Sequence, residues 1–310
     1  MNRRRAISIL GASTFAGLSS CRSRDPLHTF STVAFGTDVH FQTHGISDST
    51  FNNISEKCSL RLRVIESLFS LYDPESAICR LNRDGELENP HPEFLKLVRT
   101  ALTFGEKTSG TFDITVQPLW NWRTKWKSAD LAERVELEKT TWNETLALVD
   151  YRKVTATESV ISFEKSGMAI TLNAINQGYA TDEIIALLKR NGVRNALVNI
   201  GEYAALGFAS DGKPWSVELA DTGESIDLPP SRALAVSAGS GYTFDPEGRY
   251  HHIFRPADGA NTRPESSIVV TAPKATEADA LSTTFAITSD SERQAILKKF
   301  PEATFLEIRP

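Results

Sequence analysis

SGTFDITVQPLW, residues 109–120, follows a stretch with helical spacing and changes character at once. Ser109-Gly110 reads as a helix stop, Phe112 to Val116 as a short β-branched strand, and Pro118 as the residue that ends it. A helix that passes straight into a strand predicts mixed α and β content, and the flanking sequence extends that pattern. Upstream, a helix starts at Pro92 and buries Phe94, Leu97, Val98, Ala101 and Leu102. Before it, Ile54, Cys58, Ile65, Leu68 and Phe69 recur at helical intervals over 50–70, ended by Tyr72-Asp73-Pro74, and Phe35 to Gln42 reads as an opening strand. Downstream, 121–150 reads as surface helices. Strands are expected at Lys153–Ala156, Val160–Glu164 and Ala169–Leu172, and a helix from Tyr179 to Arg190 stopping at Asn191-Gly192. Further strands are expected at Ala196–Ile200, Trp215–Leu219, Ala233–Ser237, His251–Phe254 and Ile268–Thr271, and a last helix from about Thr276 to Thr288. No repeat or Pro/Gly/Ser-rich linker divides 30–310. The expectation is an α+β fold, one mixed-sheet domain over 22–310.

Residues 1–21 read as an address. Arg3, Arg4 and Arg5 form a positive n-region, Ala6 to Ser20 an apolar or small h-region, and Leu18-Ser19-Ser20-Cys21 resembles a bacterial lipoprotein cleavage box in which Cys21 becomes the lipidated first residue. The arginines also hint at the twin-arginine export route, and an ordinary secretory signal that happens to hold a Cys is the alternative. The h-region is short for a membrane span, and no later run approaches the length needed.

The chain holds 34 Lys and Arg against 39 Asp and Glu, a net charge of −5, and residues 1–20 contribute three Arg and no acid, so the mature chain is more acidic still. Such a balance argues against a nucleic-acid partner. After Cys21 only Cys58 and Cys79 remain, either bridged in an oxidising compartment or two unpaired thiols.

Three regions carry chemistry. In TEADALSTT, 276–284, a helix places Asp279, Ser282 and Thr283 on one face, an all-oxygen set suited to a hard cation such as Mg²⁺. The same letters also read as a Thr276–Asp279 capping box followed by hydroxyls bonded back to the helix. In VSAGSGYTFDPEGRYHHIF, 236–254, the small residues Ala238 to Gly241 let backbone approach a ligand, and a strand through His251-His252 sends one ring toward a site and the other into packing. TLNAINQGYATD, 171–182, and LVNIGEYAALG, 197–207, place small residues and amides where backbone donors meet anions.

Taken in order, FGT near the start, SLYDPESAICRLN at 70–82, SGTFDITVQPL at 109–119, LN-x-I-x-QGYATD, LVNIGE, RYHHIF and ATEADALST resemble the FAD:protein FMN transferases, the ApbE or thiamine-biosynthesis lipoprotein family. The likeness runs from about residue 30 to 290, and a lipoprotein leader is common in that family. The resemblance implies an enzyme that takes FAD, leaves FMN as a phosphoester on a Thr or Ser of a partner flavoprotein, and releases AMP. It implies a periplasm-facing, lipid-anchored protein with a redox partner as acceptor.

By the same resemblance, Thr111, Phe112 and Asp113 match a flavin-contacting turn, and Tyr72 and Ile253 match further cofactor contacts. Asp279 and Thr283 match Mg²⁺ ligands, with Ser282 assisting and the Ala174 carbonyl joining them. His252 matches a retained histidine and is the candidate to position or deprotonate the acceptor hydroxyl.

The chain departs from the common family wording at Thr171 and Gln177, among the cofactor-binding positions, where a carboxylate and a cation are usual; the segment reads TLNAINQG, with Asn176. It departs again at Glu202-Tyr203, in place of Gly-Asp, and at Arg255, where Asp is common. Similar TLN and QGYATD wording occurs in a branch associated with nitrous-oxide reductase maturation. The departures also leave room for an FAD-binding lipoprotein without transfer, and the metal chemistry for a hydrolase giving FMN and AMP.

Overall fold

The computed structural model describes residues 26–219, 223–261 and 266–309. The leader and Cys21 lie outside the described residues. Among those described, no helix is long and apolar enough to cross a membrane.

The chain opens with an antiparallel hairpin, β1 (His28–Ala34) and β2 (Thr37–His44). FGT forms the hairpin's tip: Phe35 and Gly36 both adopt positive φ, and Ala34 pairs with Thr37 across them, so the strand expected from Phe35 begins after the turn. Helix α1 (Asp48–Phe69) follows, its first turn capped by Ser47. Next come α2 (Ala77–Asp84), not anticipated from spacing, β3 (Glu86–Glu88) and α3 (Pro92–Lys107), where Pro92 occupies the first turn as expected.

The opening stretch differs from its sequence reading. The helix stop at Ser109-Gly110 holds, both at positive φ, but the β-branched run becomes a 3₁₀ turn over Ile114–Val116 and Pro118 starts α4 (Gln117–Ser128). Proline lacks only the N–H that a first helical turn leaves unused, so it opens this helix. α5 (Leu131–Thr140) and α6 (Trp142–Leu146) bury no residue, whereas α4 buries Leu119, Trp122, Arg123 and Trp126.

Two short strands, β4 (Val154–Ala156) and β5 (Val160–Phe163), complete a small sheet in the order β3-β5-β4. Ala169–Leu172, expected as a strand, pairs with no strand and forms no regular element. Asn82 takes that place, donating to the Ile170 carbonyl at 2.8 Å and accepting from the Ile170 amide at 2.7 Å.

The remaining elements are α7 (Asn176–Arg190), β6 (Asn195–Asn199), β7 (Tyr203–Leu206), β8 (Trp215–Glu218), β9 (Ser225–Leu228), β10 (Ala233–Ala238), β11 (Ser267–Ala272), α8 (Ala275–Ala286), α9 (Asp290–Leu297) and β12 (Thr304–Ile308). The large sheet runs β1-β2-β6-β7-β10-β11-β12, every pair antiparallel. Alternation sorts its faces. Ala196, Val198, Ala235, Ile268 and Val270 join the main core with α1, α7 and α8, while Leu197, Tyr203, Ala205, Leu234 and Val269 pack beneath the β8-β9 hairpin. The fold is α+β.

His251–Phe254 is not a strand: a single bridge joins His251 to Thr243, and the Asn261 side-chain amide donates to the carbonyls of His251 and Ile253 at 2.8 and 2.7 Å. Cys58 and Cys79 are free thiols.

Candidate active site

The site is assembled where α7 and α8 meet. Neither helix caps itself: Ile175 and Lys274, at their N-caps, offer no side-chain acceptor. The acceptors come from the partner helix. Asp279 accepts from the Gly178 amide at 2.9 Å, and Asp182 accepts from the amides of Ala275 and Thr276 and from the Thr276 hydroxyl. The capping box anticipated between Thr276 and Asp279 is therefore absent; both side chains are engaged by α7 instead. Gly178 is required by the approach, because a Cβ there would collide with the Ala275 carbonyl and lie 2.8 Å from the Asp279 Cβ.

The same face of α8 presents hydroxyls. Ser282 is fully buried and Thr283 half-buried, and Ser237 of β10 reaches both, at 2.7 Å to Ser282 Oγ and 3.2 Å to Thr283 Oγ1. Ala174 lies in the turn just before α7, half-buried. Asp279, Ser282 and Thr283 thus gather on one helix face, with Asp279 bonded to the first turn of α7, an oxygen-rich cluster that fits a hard cation. Asp279 is 3% exposed, and burial pushes its carboxyl up to about 7, with the Asp182 charge adding and the Gly178 amide opposing.

Glu202, immediately before β7, is a residue the sequence marked as a family departure and gave no role in the site. It is 6% exposed, its Oε2 has no partner, and burial followed by the Asp279 charge holds its carboxyl well above the usual range. Asn176, at the start of α7, also has a buried side-chain oxygen without a partner. The signal available in sequence was a Glu set inside the apolar run VNIGEYAAL. Gln177 packs against the turn before it, since a Cβ on Gly201 would stand 2.6 Å from the Gln177 amide.

The expected flavin-contacting residues occupy diverse surroundings. Phe112 is buried against Phe104. Asp113 is half-buried and accepts from the Thr115 amide and hydroxyl and the Tyr151 amide, so desolvation raises its pKa against those bonds. Thr111 is half-buried in the turn before it. This turn is tied to the TLNA segment by the Thr171 amide, which donates to the Ile114 carbonyl at 2.8 Å; Thr171 Oγ1 accepts from the Asn173 amide. Tyr72 is 65% exposed in the turn after α1, and Ile253 is buried.

His252 follows β10 through the glycine turn 239–241. It stands over Gly241, where a Cβ would lie 3.3 Å from the ring. Its Nδ1 faces the Tyr242 carbonyl at 3.2 Å, which makes that nitrogen the donor and leaves the lone pair on Nε2. His251 is fully buried and its Nδ1 accepts from the Ile253 amide. One histidine packs and the other is half-buried, as the pairing suggested, though the cause is a pinned loop and not strand alternation.

An aromatic mini-core supports that loop. Leu119, Phe244 and Phe254 are buried with Trp120, Trp142, Tyr242 and Tyr250 around them. Arg123, 5% exposed, lies over Trp122, Trp126, Trp142 and Tyr250, with its centre 3.9 Å from the Tyr250 ring. Arg255, one of the family departures, pairs with Asp258 at 2.7 Å.

Comparison with known proteins bears on this geometry. A profile described as the ApbE family matches residues 35–306. The FAD:protein FMN transferase of Haemophilus influenzae is 26% identical over 329 residues, spanning 97% of this chain and 92% of the relative. The protein of the same name from Escherichia coli K12 is 24% identical over 87% of this chain and 81% of its own length. Among solved structures, the ApbE protein of Thermotoga maritima superposes with a TM-score of 0.76 at 26% identity, covering 92% of this chain and 94% of that one.

Proposed function

The chain belongs to the ApbE family, and we propose on that footing that it transfers FMN from FAD to a hydroxyl of a partner flavoprotein, releasing AMP. The observation that carries the reading is the α7–α8 junction: a buried carboxylate, Asp279, with the hydroxyls of Ser282 and Thr283 on the same helix face in a chain of this family.

The chemistry divides among the chain's own residues. The acceptor Ser or Thr oxygen forms a bond to the FMN-side phosphorus of FAD, the pyrophosphate P–O bond breaks, and AMP leaves with the electron pair. His252 takes the hydroxyl proton on Nε2, while the Tyr242 carbonyl holds the ring through Nδ1. Asp279, Thr283 and the Ala174 carbonyl, with Ser282 beside them, would hold a Mg²⁺ ion. The chemistry an ion held there would supply is neutralisation of charge on the pyrophosphate and the leaving phosphate. Tyr72, Thr111, Phe112, Asp113, Thr171, Gln177 and Ile253 line the path of FAD. The cation usual at the Gln177 position is missing, so that position can meet a phosphate only through its neutral amide.

The proposal extends to location: a leader over 1–21 exports the chain, Cys21 carries a lipid anchor, and the enzyme works on the periplasmic side on a redox protein. The test incubates the purified protein with FAD, Mg²⁺ and a flavin-accepting domain, then looks for yellow fluorescence surviving a denaturing gel. A covalent band lost with chelator or with Asp279→Ala supports the reading. Free FMN as main product points to hydrolysis, and bound FAD without AMP release to a carrier.

A further inference from the structure

Glu202 is the acidic side chain that the fold itself leaves unexplained. A carboxylate that is 6% exposed needs partners for its oxygens, and this one is incompletely served: the Val236 backbone bonds it, yet Oε2 has none. Burial, the Asp279 charge and that backbone bond are the influences acting on it, and no cationic side chain is among them. A buried carboxylate with one oxygen unserved, beside a second carboxylate and with no cationic side chain of the described residues acting on it, is a costly arrangement.

Its position follows from contacts that close a ring. Asp279 accepts from Gly178, and Gln177, next to Gly178, packs on Gly201. Gly201 precedes Glu202, whose carboxylate meets Val236. The residue after Val236, Ser237, bonds Ser282 and Thr283 on the helix that carries Asp279. The Thr181 hydroxyl donates to the Glu202 carbonyl at 3.1 Å and fixes the turn to α7. A second orphaned oxygen, Asn176 Oδ1, lies at the start of the same helix. Two buried oxygens without partners therefore accompany the oxygen cluster of α8, and all of these groups are acceptors or can act as acceptors.

We propose that Glu202 supplies a second carboxylate to the divalent-cation site, facing the ion that Asp279 and Thr283 hold. The inference rests on the assignment of Asp279 and Thr283 as cation ligands made above. Mg²⁺ sites commonly use one or two carboxylates, and two make the protein's share of the site neutral once the ion is in place. Where the usual family wording has a glycine, this chain has a ligand, so its resting affinity for the ion is higher than one carboxylate provides.

The experiment measures ion uptake and not turnover. The purified full-length protein is stripped with chelator, and Mg²⁺ binding is followed by calorimetry, with Mn²⁺ by electron paramagnetic resonance, both with and without FAD. Glu202→Gln is expected to weaken uptake at least tenfold while the metal-free variant melts no lower than wild type, because a buried charge has been removed. A smaller loss, with Asp279→Asn still abolishing uptake, overturns the role of Glu202 and leaves the proposed metal site intact. Absence of uptake by wild type under both conditions overturns both. Should Glu202→Gln not fold, Glu202→Asp gives the reading. Drawing the carboxylate back by a methylene shifts preference toward Ca²⁺ over Mg²⁺, and an unchanged preference overturns the proposal.

Discussion

Asp182 and Asp279 cap one another's helices: Asp182 of α7 accepts from the first two amides of α8, and Asp279 of α8 accepts from the Gly178 amide in the first turn of α7. Each carboxylate also lies at the positive end of the opposite helix dipole. The exchange locks two helices at close approach and fixes where the Asp279 face points.

Asp182→Ala leaves two amides and the Thr276 hydroxyl without their acceptor. Loss of a helix cap costs about 1–2 kcal/mol, and burial of the orphaned groups places this variant at or above the upper end. Urea unfolding measures the difference, and Asp182→Asn, which keeps an acceptor oxygen, should lose less. Equal stability of all three proteins would show that the cap carries no weight.

His252→Asn retains a side-chain amide able to donate toward the Tyr242 carbonyl but removes the Nε2 base. Transfer to the acceptor should fall by about 10²–10⁴-fold, the usual range for a lost general base, with FAD affinity held within a few fold. Flavin fluorescence titration and the covalent band report the two quantities separately. A variant with an unaltered transfer rate assigns the proton to another group.

The two thiols differ in surroundings. Cys58 is fully buried and burial pushes its thiol up to about 12, while Cys79 is half-buried with its Sγ 3.5 Å from the Ser70 carbonyl. Thiolate is the reactive form, so iodoacetamide applied to the folded protein should label Cys79 first and reach Cys58 only after denaturation. Peptide mass spectrometry reads both sites, and equal labelling would mean that Cys58 is exposed by local opening.

Glu307 sets an acid-side dependence. Hydrogen bonds from Arg309 and then Arg293 outweigh its partial burial and hold its carboxyl at about 2, against an ordinary 4.5. Since the folded value lies below the unfolded one, the stabilisation is complete above the unfolded value and drains away as pH falls from 4.5 toward 2. Glu307→Gln should therefore melt below wild type near neutrality, with the gap closing over that window. A gap constant with pH would locate the effect in packing instead of charge.

Fold class, the helices α1, α3, α7 and α8, and most strands of the large sheet were readable from the chain, because apolar spacing and terminal residues are local signals. The order of motifs carried the family in the same way. Local letters misled where a distant group intervened. Ala169–Leu172 has strand composition, yet Asn82 occupies its hydrogen bonds, and Thr276 and Asp279 have capping-box spacing, yet each is engaged by α7. Pro118 fits both a strand end and a helix start, and the 3₁₀ turn before it selects the second.

Residue types and their spacing on one helix were enough to single out Asp279, Ser282 and Thr283, since those three share a face whatever surrounds them. Ser237, Asp182 and Glu202 joined them only through folding. They come from separate strands and helices, and their burial, partners and mutual charge are properties of a packed interior that no local stretch of chain contains.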